Sequence, residues 1–283
     1  MIVHMQNAYI TNGLNTDEFL MMKFPFLLES DTFIRKVEFI PDNKQIVHHI
    51  NGHLITYDEK DKKNIFKGDR TVDTELFSDE ESFKKLDILN DDKTYPILNP
   101  SVVNYLPGSE QVDYPKGIGG FKASKKNVIL VNDFHYAPTP YKERDSSYFN
   151  IYFSPSPPIR EIQETQLGTF GISEITPPLI IPVNEIKRFK TKATITQDIS
   201  LLTINPHMHL LGKSFLAYAV SLNNDTIPLI KIDNWNFRWQ YFYTFKKMLK
   251  IPAGSEIIAE AVYDNTIDNP DNPFSPPKTI SER

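Results

Sequence analysis

Short alternating runs constrain this chain most. In Tyr148-Phe149-Asn150-Ile151-Tyr152-Phe153 the two-residue period puts Phe149, Ile151 and Phe153 on one face. Asn127–Phe134 reads as a buried strand. Thr194–Thr203, Ser214–Leu222 and Ser255–Tyr263 are further β-branched or apolar runs bounded by turn residues. With 21 Pro, 19 Phe and 13 Tyr against only 11 Gly, the composition favours strands joined by proline-marked turns. Phe77–Leu89 is the best candidate for a short helix. The expectation is an all-β chain.

At 283 residues there is room for two domains of about 120–150 residues. Ser154-Pro155-Ser156-Pro157-Pro158 cannot continue a strand ladder, because proline lacks a donor and restricts the residue before it. The predicted layout is an N-terminal extension over 1–19, one antiparallel β-sandwich over 20–156 and a second over 157–283. Within the first, Tyr57–Thr94 holds twelve acidic and eight basic residues and reads as a charged, solvated insertion, partly helical or mobile. Pro276–Arg283 reads as the lead-in to a further strand, so the second sandwich is expected to be truncated.

A net charge of −5 argues against nucleic acid or an anionic membrane as partner. No apolar run approaches the ~20 residues needed to span a bilayer, so no membrane insertion is expected. Met1–Asn15 lacks the basic and apolar regions of a signal peptide. The absence of cysteine removes disulfides and thiolate ligands.

Metal chemistry then falls to histidine, and five of the seven lie in three groups: His48-His49, His135, and His207-Met208-His209. If the strand ending near Ile204 continues, His207 and His209 share a face and can reach one ion. His48 and His49 are adjacent, so they share an ion only where the backbone bulges or turns. His135 would be the natural third ligand beside them. Taken singly, each group also fits a surface pair or a satisfied core histidine.

Together the groups resemble the copper type II, ascorbate-dependent monooxygenases, the family of peptidylglycine α-hydroxylating monooxygenase and dopamine β-monooxygenase, with the bacterial members most similar. The resemblance covers roughly residues 20–283. It rests on Val47-His48-His49, on His135-Tyr136-Ala137-Pro138-Thr139 with Asp145-Ser146-Ser147, and on Pro206-His207-Met208-His209-Leu210-Leu211-Gly212-Lys213. Trp239-Gln240-Tyr241-Phe242-Tyr243, Pro252-Ala253-Gly254-Ser255, Tyr263-Asp264-Asn265 and Asn269-Pro270 add to it.

The resemblance implies two jelly-roll-like sandwiches that flank an interdomain cleft and carry two copper ions. His48, His49 and His135 would hold an electron-transfer copper. His207 and His209 would be two ligands of the copper where O2 and a small-molecule substrate react, with ascorbate as reductant. A periplasmic or extracellular location is implied too. The family's second copper also takes a methionine, which this chain does not supply after Tyr263. The peptide-specific enzyme places an arginine two residues before the His-x-His pair, where this chain has Asn205, so a C-terminal glycine peptide is not the expected substrate. Two alternatives stay open: a non-catalytic copper-binding protein that uses the first site alone, and a plain two-domain interaction module.

Overall fold

A computed structural model describes residues 1–108, 114–115, 117–154, 156–168, 173–239 and 241–281. Pro155, Gln240 and the last two residues, all part of the sequence readings above, lie outside the described residues. Its regular secondary structure is almost all strand, and the chain divides into two compact units, Met1–Glu164 and Thr165–Arg283. The Ser154–Pro158 stretch lies ahead of this division.

In the first unit the strands are β1 (Ile2–His4), β2 (Tyr9–Ile10), β3 (Glu18–Leu27), β4 (Thr32–Ile40), β5 (Val47–Tyr57) and β6 (Thr71–Asp73). The helix α1 (Asp79–Lys85) follows. Then come β7 (Ile97–Tyr105), β8 (Phe121–Ala123), β9 (Lys126–Tyr136), β10 (Arg144–Asp145) and β11 (Tyr148–Ser154). All the strand pairs are antiparallel. One sheet runs β1-β11-β4-β8 and the other β6-β3-β9-β5-β7. Between them lies a core built from both inner faces, including Phe24, Ile34, Phe39, Leu54, Phe134 and Phe149. This is sandwich packing: the inward residues of each strand alternate with outward ones. Phe149 and Ile151 are buried as the period requires. A register shift after Tyr152 leaves Phe153 at the core's margin.

The charged stretch after Tyr57 is more structured than its composition suggests. Ser78 caps α1 through a reciprocal capping box with Glu81. Ile65, Val72, Leu86 and Ile88 then form a second core against Met21, Ile55, Val128 and Leu130, on the outer face of the five-stranded sheet. The sparse apolar residues are the ones that cover the sheet, while the charges face water.

Two lysines are nevertheless carried inside. The Lys62 amine meets Asp87 at 2.9 Å and the Leu89 carbonyl at 2.6 Å. Lys23, 4% exposed, donates to the carbonyls of Lys67 and Leu86. Burial first, then the nearby Arg70, pushes the Lys23 amine down to about 8. An unfolded lysine holds its proton to roughly pH 10.4. Above pH 8 the unfolded chain therefore binds more protons than the folded one, and stability rises with pH. The expected gain from pH 7.5 to 9.5 is of order 1–3 kcal/mol. Urea midpoints at the two pH values check it, and Lys23→Met is expected to flatten the slope.

The second unit contains β12 (Ile175–Thr176), β13 (Ile180–Ile181), β14 (Ile186–Thr194), β15 (Ile199–Ile204) and β16 (Gly212–Val220). These are followed by β17 (Thr226–Ile232), β18 (Tyr243–Ile251), β19 (Glu256–Asp264) and β20 (Ile280–Ser281). A five-stranded antiparallel sheet, β12-β14-β19-β16-β17, packs its Ala217, Ala219 and Leu229 against residues of the β15-β18 pair such as Ile199, Leu201 and Ile251. The run Thr194–Thr203 is split: Thr194 ends β14, residues 195–198 form the connection, and residues 199–203 enter β15. Within the Pro276–Arg283 stretch, Ile280–Ser281 form β20, paired with β13.

Candidate metal centre

Strands β5 and β9 pair in a register that puts His49 opposite His135. Val47 faces Tyr136 one step away, so two residues of β5, His48 and His49, oppose a single step of β9. That extra residue is a β-bulge, and it turns adjacent side chains toward one side. Their Nδ1 atoms lie 3.0 Å apart, and His135 Nδ1 lies 3.1 Å from His48 Nδ1 and 3.3 Å from His49 Nδ1. The three sequence-predicted imidazoles therefore meet, each offering the same ring nitrogen.

Several contacts support the triangle. Phe19, opposite His135 in the β3–β9 register, stacks on its ring at 4.4 Å. On the inner face, the buried Tyr136 hydroxyl donates to Asp145 at 2.8 Å, and the other Asp145 oxygen accepts the Asn43 backbone N–H at 3.0 Å. Asn43 in turn accepts from Ile46 and Val47 through its carbonyl. The turn that leads into His48-His49 is thus tied to the strand that carries His135. Ser147, whose hydroxyl bonds Asp145 at 2.8 and 2.9 Å, completes the network. In Asp145-Ser146-Ser147, then, Asp145 and Ser147 support the centre rather than act as ligands.

Burial pushes the His135 imidazole below its usual range, against the opposing pull of Asp17. A neutral ring is the form that can ligate. An ion set about 2 Å from each nitrogen, the usual metal–imidazole distance, fits a triangle of this size. Three nitrogens aimed at one point repel through their lone pairs unless a cation, or a proton carried by one ring, lies between them. The donor set therefore suits copper or zinc, with copper favoured on intrinsic affinity.

The second group is built differently. β15 ends at Ile204, and His207 and His209 lie in the loop that leads to β16, not on a continued strand. Burial still alternates there: His207 and His209 are exposed, while Pro206 and Met208 are buried. The two rings meet edge to face with centroids 5.0 Å apart. Met208 turns inward beside Trp235 and Gly212. A Cβ at Gly212 would come within 2.7 Å of the Met208 methyl and 2.6 Å of the Trp235 ring, so only glycine lets this loop seat. The Gly212 N–H closes the turn on the His209 carbonyl at 2.9 Å. The pair and the triangle lie in separate units, and among the described residues only the triangle brings three donors together.

Residues 181–271 match the family model of the copper type II ascorbate-dependent monooxygenase C-terminal domain. The match lies within the second unit, whose sequence is similar to that family's C-terminal domain. The matched stretch includes His207 and His209, while His48, His49 and His135 lie outside it. No curated protein matches the chain.

Two residues at the centre carry no motif signal. Asp133 lies two residues before His135 on regular strand, so the strand period alone could have flagged it. Asp17 meets His135 from 118 residues away, and only the β3–β9 register reveals it. His53, outside every motif, accepts the Ser101 backbone N–H at 3.1 Å and is pushed toward neutrality by burial, a satisfied core histidine.

Proposed function

We propose that the chain is a copper- and ascorbate-dependent monooxygenase that hydroxylates a C–H bond of a small substrate. The observation that carries this reading is the Nδ1 triangle of His48, His49 and His135, found in a chain whose other unit matches the monooxygenase family. When bound, copper supplies one-electron transfer and the reduction of O2, with one oxygen atom going to the substrate and the other to water. His48, His49 and His135 would hold the electron-transfer ion in a half-enclosed site. His207 and His209 project from the surface as two donors for a second ion, with Met208 turned away from them. Asn205, which replaces the peptide-binding arginine, donates its side-chain amide to the Tyr241 carbonyl at 3.0 Å. It offers no cation for a substrate carboxylate, which argues for a substrate class other than C-terminal glycine peptides. The family's setting also favours a periplasmic or extracellular protein, and no helix among the described residues is long and apolar enough to cross a membrane.

A second reading, a copper-binding protein without hydroxylase activity, is favoured by the contrast between three converging donors in one unit and two in the other. Copper counting and oxygen uptake separate the readings. The monooxygenase is expected to take up two copper ions per chain and to consume O2 with ascorbate in a substrate-dependent way. One copper per chain and ascorbate oxidation that no C–H donor accelerates would support the second reading and defeat the first.

A further inference from the structure

Two carboxylates stand behind the imidazole triangle. Asp17 Oδ1 lies 2.6 Å from His135 Nε2, and Asp133 Oδ2 lies 2.9 Å from His49 Nε2. The carboxylates are 48% and 43% exposed, and the rings they contact 11% and 22%. An ionised carboxylate only accepts, so each Nε2 must carry the hydrogen and donate it. In a neutral ring, Nδ1 is then left with a lone pair. Two such lone pairs face each other 3.3 Å apart, and the remaining corner, His48 Nδ1, lies 3.0 and 3.1 Å from them. Without metal, His48 is the ring that can place a proton inside the triangle.

We propose that Asp17 and Asp133 are positioning residues that lock His135 and His49 as Nε2–H tautomers and bias a bound copper toward its more highly charged oxidation state. The proposal rests on the first site's reading as a copper centre. A carboxylate behind a ligating imidazole fixes its tautomer and orientation and makes its free nitrogen more basic. Two nearby negative charges also stabilise a doubly charged ion more than a singly charged one. The backbone is arranged for the contacts. Asp133 sits beside a second bulge, where β9 carries one residue more than β3 and β5 between Val131 and Asp133. Asp17 immediately precedes β3, two residues before the Phe19 that stacks on His135.

Nitrogen-15 NMR of the metal-free chain reads the tautomers directly, and Nε2–H is expected for both His49 and His135. Asp17→Asn and Asp133→Asn keep the shape and remove the charge. Each is expected to weaken Cu(II) binding by about 10–100-fold. Cu(I) binding should weaken less, and each tenfold gap between the two raises the potential by about 59 mV. Glu75→Gln makes the same charge change at an exposed position of the same unit and is expected to move neither reading. An Nδ1–H tautomer at either ring of the wild type would overturn the proposal, as would Asp variants whose affinity ratio matches that of Glu75→Gln. If the wild-type triangle takes up no copper, the reading of the site fails, and the tautomers alone then decide the role of the carboxylates.

Discussion

His135→Ala is expected to leave the first unit folded and unable to hold copper. The ring supplies one of three nitrogens, and its Nδ1 lies within 3.3 Å of both others. Partners behind a ligand typically cost 10–100-fold in metal affinity when lost, so losing the ligand itself should cost about a thousandfold or more. The fold should survive, because the core beneath the site is held by Phe134 and Tyr136, which point to the other face of β9. Calorimetric titration with Cu(II) reads the affinity. Copper that binds only the folded state at a hundredfold excess over its dissociation constant stabilises by about 2.7 kcal/mol, so the wild type should show a copper-dependent rise in Tm. That rise should persist in His4→Ala, since His4 packs on Tyr148 away from the triangle. Undiminished copper binding by His135→Ala would remove the three-imidazole centre from consideration.

The second large effect is one of stability, at Asn265. This side chain is fully buried, and its amide nitrogen lies 3.1, 3.0 and 2.7 Å from the carbonyls of Ile181, Pro182 and Lys278. Its oxygen accepts from Asn272 at 3.0 Å. One amide thus joins β13, the loop after β19 and the approach to β20. Asn265→Ala leaves these groups unpaired, at about 1–3 kcal/mol for each one that water cannot reach, and a total loss of about 3–5 kcal/mol is expected. Asn265→Asp should be no better, because it sets a carboxylate against three carbonyl oxygens. Urea denaturation checks the order, with wild type above both variants. A loss below about 1 kcal/mol for Asn265→Ala would mean the network contributes little.

Strand content and ligand candidates were legible in the sequence because both follow from local pattern. Phe149 and Ile151 are buried where the two-residue period puts them, and the short helix begins at a capping box inside Phe77–Leu89. The requirement for a bulge at His48-His49 was legible too, since adjacent strand residues cannot otherwise share an ion. Long-range register was not legible. Nothing near Asp17 announces His135, and nothing near Asn43 announces Asp145. The packing role of the charged stretch after Tyr57 was not legible for a related reason: its few apolar residues have no periodicity of their own, and acquire meaning only against Met21, Ile55 and Leu130 of other strands. At His207-x-His209 alternation outlived the strand that was supposed to carry it. The exposed rings and the buried Met208 keep opposite sides without a strand ladder.

The bulge in β5 also makes the centre depend on a local irregularity of the strand. A strand deals its residues to two faces in turn, and at this one step it deals two running to the same side. If the bulge were ironed out, regular alternation would send one of the two adjacent rings to the far side of the sheet with all three histidines still in the gene product. A relative judged by its histidines alone could look intact without the bulge, though its three imidazoles no longer met. In this centre, backbone irregularity matters as much as residue identity.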